Sequence, residues 1–179
     1  SLSSIGNNVM SGEILCATNG QKWVQLRNEG IVVFEENKGE LVERKISTSS
    51  SMGGLNNNTV KCMQEDDDGN IWIGTNNGIN VFYFPDNILT SNMTNSEQVL
   101  VEVDGYVEPL LNNTTVLDIK IDGGNRKWVA TEGKGVFLMS EDGAQEVLHF
   151  TKNNSPLLGN TVYGITIDDK SGKVFFATD

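Results

Sequence analysis

Histidine, cysteine and proline are scarce in this chain. His149 is the single histidine, Cys16 and Cys62 are the two cysteines, and there are three prolines among 179 residues. A lone histidine with no C-x-x-C and no G-x-S-x-G gives no support to a zinc site or a serine nucleophile. A structural role on an outer strand is expected for it. The cysteines fall on the first strands of neighbouring sheet units, farther apart than the roughly 7 Å a disulfide tolerates, so both are expected as buried free thiols. Positive charge is also in deficit. Thirteen Lys and Arg against 24 Asp and Glu leave a formal charge of −11. That argues against nucleic acid and anionic lipid as partners, since both call for a basic surface. No apolar run approaches the 18 or so residues of a membrane helix, so no membrane insertion is expected. The first eight residues lack the charged start and apolar middle of a signal sequence. Helix signals are nearly missing too: segments 47–58 and 87–97 are rich in Ser, Asn, Thr and Gly and read as loops.

What the chain has is a recurring hairpin. Asp68-Gly69-Asn70 leads into Ile71-Trp72-Ile73-Gly74-Thr75, Asn76-Asn77-Gly78 turns the chain, and Ile79 to Phe82 runs back. Two runs rich in β-branched and aromatic residues around an Asn-Gly turn predict a β-hairpin. The same pattern stands around Trp23, around Trp128, and in its first half around Phe175, at intervals of about 50 residues. Val60 and Val116 each precede the anchor tryptophan by twelve residues, and Val162 precedes Phe175 by thirteen. Four strands are predicted per unit. In the first unit these are 13–17, 22–26, 31–35 and 41–46; in the second, 60–64, 71–74, 79–82 and 98–103. The third has 116–121, 127–130, 136–139 and 146–150, and the fourth only 162–167 and 174–177. An all-β chain with this period predicts a β-propeller fragment of about three and a half four-stranded blades. The blades would cover about 9–50, 58–104, 114–151 and, in part, 160–179, within one segment spanning 1–179.

The pattern N-x-V, then D-x-x-G-N-x-W-[IV]-[GA]-T, then N-x-G, resembles the two-component regulator propeller repeat. Asp67 to Thr75 and Gly124 to Thr131 carry it well. The first unit departs with Gln25-Leu26, and the last with Phe175 for Trp. His149 to Leu157, followed by Ile167 to Phe175, is similar to the last propeller blades of PorZ-type proteins, surface components of the type IX secretion system of Bacteroidetes. The resemblance implies a non-catalytic interaction or ligand-sensing module of a larger extracytoplasmic bacterial protein, in the periplasm or at the cell surface. It would be either a PorZ-like secretion component or the sensor region of a hybrid two-component system. The alternative is a propeller enzyme of the lactonase or lyase type, which would need acidic or histidine ligands around the axis. The axial strands offer mainly Asp118. No cofactor is expected; the ligand would be a protein or a glycan.

Trp23, Trp72, Trp128 and Phe175 recur at one place in each unit, which predicts wedges between blades rather than sugar-stacking platforms. Gly74 and Ala130, two residues on, are small where a neighbouring sheet comes close. The acidic run Glu65 to Asp68 has no closing bidentate ligand after Gly69, so it reads as a turn and not a calcium loop. The loops vary from unit to unit. Asn76, Asn77, Glu132 and Lys134 in them are candidate binding positions, because variation on a fixed scaffold is where recognition sits. A chain of about three and a half blades leaves sheet faces uncovered, which predicts self-association. The rival is a four-bladed ring closed by Leu2 to Ile5.

Overall fold

Period-2 patterning and tight turns leave little choice but antiparallel sheet. A computed structural model, describing residues 10–103 and 105–179, shows this. The first sheet is built from β1 (Ser11–Cys16), β2 (Lys22–Leu26), β3 (Gly30–Asn37) and β4 (Glu40–Ile46), each hydrogen-bonded to the next in chain order. The second begins in the same way with β5 (Val60–Glu65), β6 (Ile71–Thr75) and β7 (Gly78–Phe82). Its fourth strand does not form. Among the described residues only a bridge between Val81 and Glu97 continues the sheet. The chain then leaves it as a separate hairpin of β8 (Leu100–Val103) and β9 (Tyr106–Pro109). The expected strand over 98–103 is therefore corrected: its residues pair forward with β9, Leu100 with Pro109 and Val101 with Glu108. The third sheet has all four strands, β10 (Val116–Ile121), β11 (Lys127–Thr131), β12 (Val136–Met139) and β13 (Glu146–Phe150). The last has β14 (Val162–Asp168) and β15 (Lys173–Thr178). Meander sheets of this kind, each packed face to face on the next, make the chain a segment of a β-propeller. The proposed closing strand at Leu2 to Ile5 lies outside the described residues.

The first strand of each later unit carries the same irregularity. The register slips between Val60 and Cys62, between Val116 and Asp118, and between Val162 and Gly164. A bulge at one place in each unit is a built feature that bends and twists the inner strand. It brings the residues after the slip close to the next unit. Backbone N–H of Met63 donates to Glu13 Oε2 at 2.9 Å, and that of Ile165 to Asp118 Oδ2 at 2.8 Å. Glu13, Cys62, Asp118 and Gly164 hold equivalent positions, so a carboxylate there clasps the following unit wherever one is present. At Cys62 the contact is apolar instead. A Cβ on Gly74 would sit 2.5 Å from Cys62 Sγ and 2.7 Å from Val116 Cγ1, which is why that place in β6 is glycine.

Three apolar layers fill the spaces between consecutive units. Trp23 lies with Val60, Met63, Ile73 and Phe82; Trp72 with Val116, Ile119, Val129 and Phe137; Trp128 with Val162 and Ile165. Each tryptophan thus faces forward from the second strand of one unit onto the next. Trp23 and Trp72 are fully buried and Trp128 is 9% exposed. Phe175 holds the same place in the last unit, but among the described residues its forward face meets no further sheet and it is 56% exposed. Here the wedge expected of Phe175 is corrected. Cys62 is buried as expected, but Cys16 is exposed, and both are free thiols.

Candidate functional site

The acidic turn before Trp72 is the most tightly organised polar feature. Asp66 stands six residues ahead of Trp72. Its Oδ1 accepts the backbone N–H groups of Asp68 and Asn70 at 3.1 and 2.9 Å, closing the turn. Its Oδ2 accepts the indole N–H of Trp72 at 2.7 Å. The same Oδ2 lies 3.2 Å from Lys127 Nζ, a salt bridge in which both side chains are buried. Lys127 comes from β11 of the next unit, at the position that Ile71 holds in the second. Its ammonium sits 4.8 Å above the Trp72 ring, donates to the Asn125 carbonyl at 2.7 Å, and also donates to the Glu141 carbonyl. A lysine is tolerated at this depth because carboxylate, carbonyls and aromatic face together replace its hydration. Burial pushes the Asp66 carboxyl up, yet the hydrogen bonds from Trp72 and Asn70 and the charge of Lys127 outweigh it and hold it below the ordinary range.

The third unit repeats the device. Asp122, six residues ahead of Trp128, accepts the indole N–H at 3.1 Å and pairs with Arg126 at 2.8 Å. Burial pushes its carboxyl up, but the bonds from Arg126, Gly124 and Trp128 bring it lower overall. In the last unit Asp168 has no indole to accept from and takes the Ser171 hydroxyl instead. In the first unit the place is Ala17, and among the described residues the buried Trp23 indole N–H has no acceptor. The aspartate six residues before Trp72 and before Trp128 is the site residue that sequence reading missed. Its repeat in Asp66 and Asp122 was the signal available.

Asp66 therefore spends its oxygens on its own turn, the indole and Lys127, and Asp68 Oδ2 accepts the Asn125 side-chain amide at 3.0 Å. Glu65, the first residue of the acidic run, accepts the Thr18 N–H and hydroxyl of the preceding unit. Among the described residues no three His, Cys, Asp or Glu side chains stand together as a metal would require. Micromolar calcium, or a chelator, is expected to leave the melting temperature unchanged in a thermal-shift measurement. A rise of several degrees with calcium would show that Glu65 to Asp68 do bind it.

The candidate loop residues separate into two kinds. Asn76 is exposed, but its N–H is held by the Thr59 carbonyl at 3.1 Å. Asn77 is half-buried. It accepts from Asn56 through its carbonyl at 2.7 Å and from the Asn113 N–H through its side chain at 3.2 Å. Both brace neighbouring loops. Glu132 and Lys134 are exposed, and their side chains make no ion pair among the described residues. Ala130 is buried with Val136 and Val162. His149 lies half-buried on β13, stacked on Phe137 at 3.9 Å, with Nε2 2.6 Å from the Lys134 carbonyl, to which it donates. Around the axial bulges, Asp118 also accepts from Lys120 at 3.1 Å. Burial pushes Glu13 up, partly opposed by its bond from Met63 and by Lys120.

The fold and these turns define a segment of a β-propeller, and comparison with known proteins agrees. Residues 54–77 match the two component regulator propeller family. PorZ, an essential bacterial surface component of the type-IX secretion system of Porphyromonas gingivalis, is 26% identical over 93% of this chain, with a TM-score of 0.81. The extracellular domain of a protein described as a hybrid two component system in B. thetaiotaomicron is 24% identical over 97% of the chain, at a TM-score of 0.69. A protein described as a gluconolactonase shares the fold at 14% identity over 93% of the chain and a TM-score of 0.55. The chain spans 24%, 20% and 54% of the lengths of these three. No curated protein matches it in sequence.

Proposed function

We propose that the chain is a non-catalytic interaction module, part of a larger extracytoplasmic bacterial protein, and that its ligand is a protein or glycan bound by the loops and outer strands. The observation that carries this reading is the use of the axial carboxylates. Glu13 and Asp118 are the acids an axial enzyme site would draw on, and both are engaged in clasping the next unit. Between the two roles open to such a module, a secretion-associated surface component is favoured. The PorZ propeller combines higher identity with a higher TM-score than the sensor domain does. The neighbouring proteins' location outside the cytoplasm supports the same placement for this chain.

The test is a turnover assay on aliphatic and aromatic lactones with calcium, zinc or manganese added. No hydrolysis above background is expected. Hydrolysis that Asp118→Asn abolishes would favour the lactonase-like reading instead. The role is separated by the full reading frame. A downstream membrane helix and kinase would mean a sensor, and a short β-sandwich tail a secretion component.

The forward face of β14 and β15 adds a prediction about the isolated chain. Phe175 is exposed there, at 56%. An uncovered apolar sheet face invites a second copy. Light scattering after size exclusion is expected to show a dimer that persists on dilution; a clean monomer at high concentration would contradict it.

A further inference from the structure

We propose that the groove between the β8–β9 hairpin and the β12–β13 face holds a short extended peptide of a partner protein, one carrying lysine or arginine side chains beside apolar ones. This rests on the interaction-module reading and names the site and the chemistry it recognises. The groove exists because of the missing strand. In the first and third units a fourth strand follows the third directly. In the second, pairing stops at the Val81–Glu97 bridge, and the chain swings out as the hairpin, tied at its base by the Leu110 N–H to the Val99 carbonyl at 2.8 Å. Between the hairpin and the β12–β13 face a groove of about 910 Å³ is left open, within the range of built ligand sites. An extended segment is the shape that such a groove accepts.

The walls say what kind of segment. Leu110, Leu111, Phe137 and Met139 form an apolar floor. Glu102 and Glu108 from the hairpin and Glu146 from β13 stand around it, against the single cation of Lys134. These three carboxylates are exposed and take part in no ion pair among the described residues. A rim of unpaired negative charge over an apolar floor is complementary to alternating basic and apolar side chains, and such a rim acts through steering and register. The excess of acid over base in the whole chain adds to the same field.

The probe is a fluorescein-labelled hexapeptide, Lys-Leu-Lys-Val-Lys-Leu, read by anisotropy at low salt. Glu-Leu-Glu-Val-Glu-Leu and Lys-Ser-Lys-Ser-Lys-Ser serve as comparisons. The basic apolar peptide is expected to bind, and the other two to bind at least about tenfold more weakly. The combined variant Glu102→Gln, Glu108→Gln, Glu146→Gln is expected to lose about tenfold in affinity. The variant Glu36→Gln, Glu40→Gln, Asp169→Asn removes the same charge from exposed positions elsewhere and is expected to bind as the parent does. Equal loss in both variants would mean general charge attraction and would overturn the site. So would equal binding of the Lys-Ser peptide, or no binding at all. None of these outcomes produces lactone turnover, so a failed groove leaves the non-catalytic reading standing, and turnover alone defeats that reading.

Discussion

Trp72→Ala will lower the stability of the chain by about 3–5 kcal/mol in a denaturant titration, the range of large aromatic truncations in a closed core. Trp72 is 1% exposed and touches both its own unit and the next. Collapse into the space is hindered, because rigid strands of two sheets bound it. A milder change separates packing from polarity. Trp72→Phe keeps most of the ring and strands Asp66 beside Lys127 without its indole donor. Trp23→Phe removes an N–H that has no acceptor among the described residues. The first is expected to cost about 1–2 kcal/mol more than the second, since losing one partner of a buried hydrogen bond costs more than losing an unpaired donor. Near-neutral values for Trp72→Ala would mean an exposed ring and would reopen the platform reading.

Asp66→Ala is expected to cost as much, about 3–5 kcal/mol, for a different reason. It leaves Lys127 buried with its charge uncompensated and the Trp72 indole N–H unpaired, and breaking a buried pair from one side carries this penalty. The pH dependence has a definite sign. The folded carboxyl of Asp66 is held below its ordinary value. The stability it supplies is therefore fully present above the unfolded carboxylate range and is lost as pH falls through the lower, folded value. Asp122 is shifted in the same direction, for similar causes, and adds to the same acid limb. Chemical denaturation across the acid range will show a steep loss in the parent and a flatter one in Asp66→Ala. Equal slopes would contradict the assignment.

The strands of the first and third units were legible from alternation and from the turn chemistry of Gly and Asn, because local rules and the global fold agree there. The anchor tryptophans gave the unit period and the layer between blades. Two features were not legible. The strand expected over 98–103 has good β composition, and nothing in its own residues says which neighbour it will pair with. The Asp104-Gly105 step before Tyr106-Val107 was the sequence signal of a hairpin that could take it away. Lys127 is the other. Alone in the sequence it reads as a solvated strand residue. Its burial depends on Asp66 and Trp72, more than fifty residues upstream, meeting it across two sheets. Phe175 follows the repeat position of Trp72 in sequence, but equivalence in the repeat does not supply a forward neighbour to cover it among the described residues.

In the proposed module the Asp66 carboxylate is spent on the buried Trp72 wedge, which leaves recognition to the loops and the outer groove. A double-mutant cycle on Asp66→Ala and Trp72→Phe tests this most directly, with each variant and the pair unfolded in denaturant under the same conditions. If the carboxylate accepts the buried indole N–H, the two costs will fall short of adding by about 1–3 kcal/mol, as expected for contacting groups. Costs that add within about 0.5 kcal/mol would mean that the two side chains do not interact, and the turn would have to be explained in some other way.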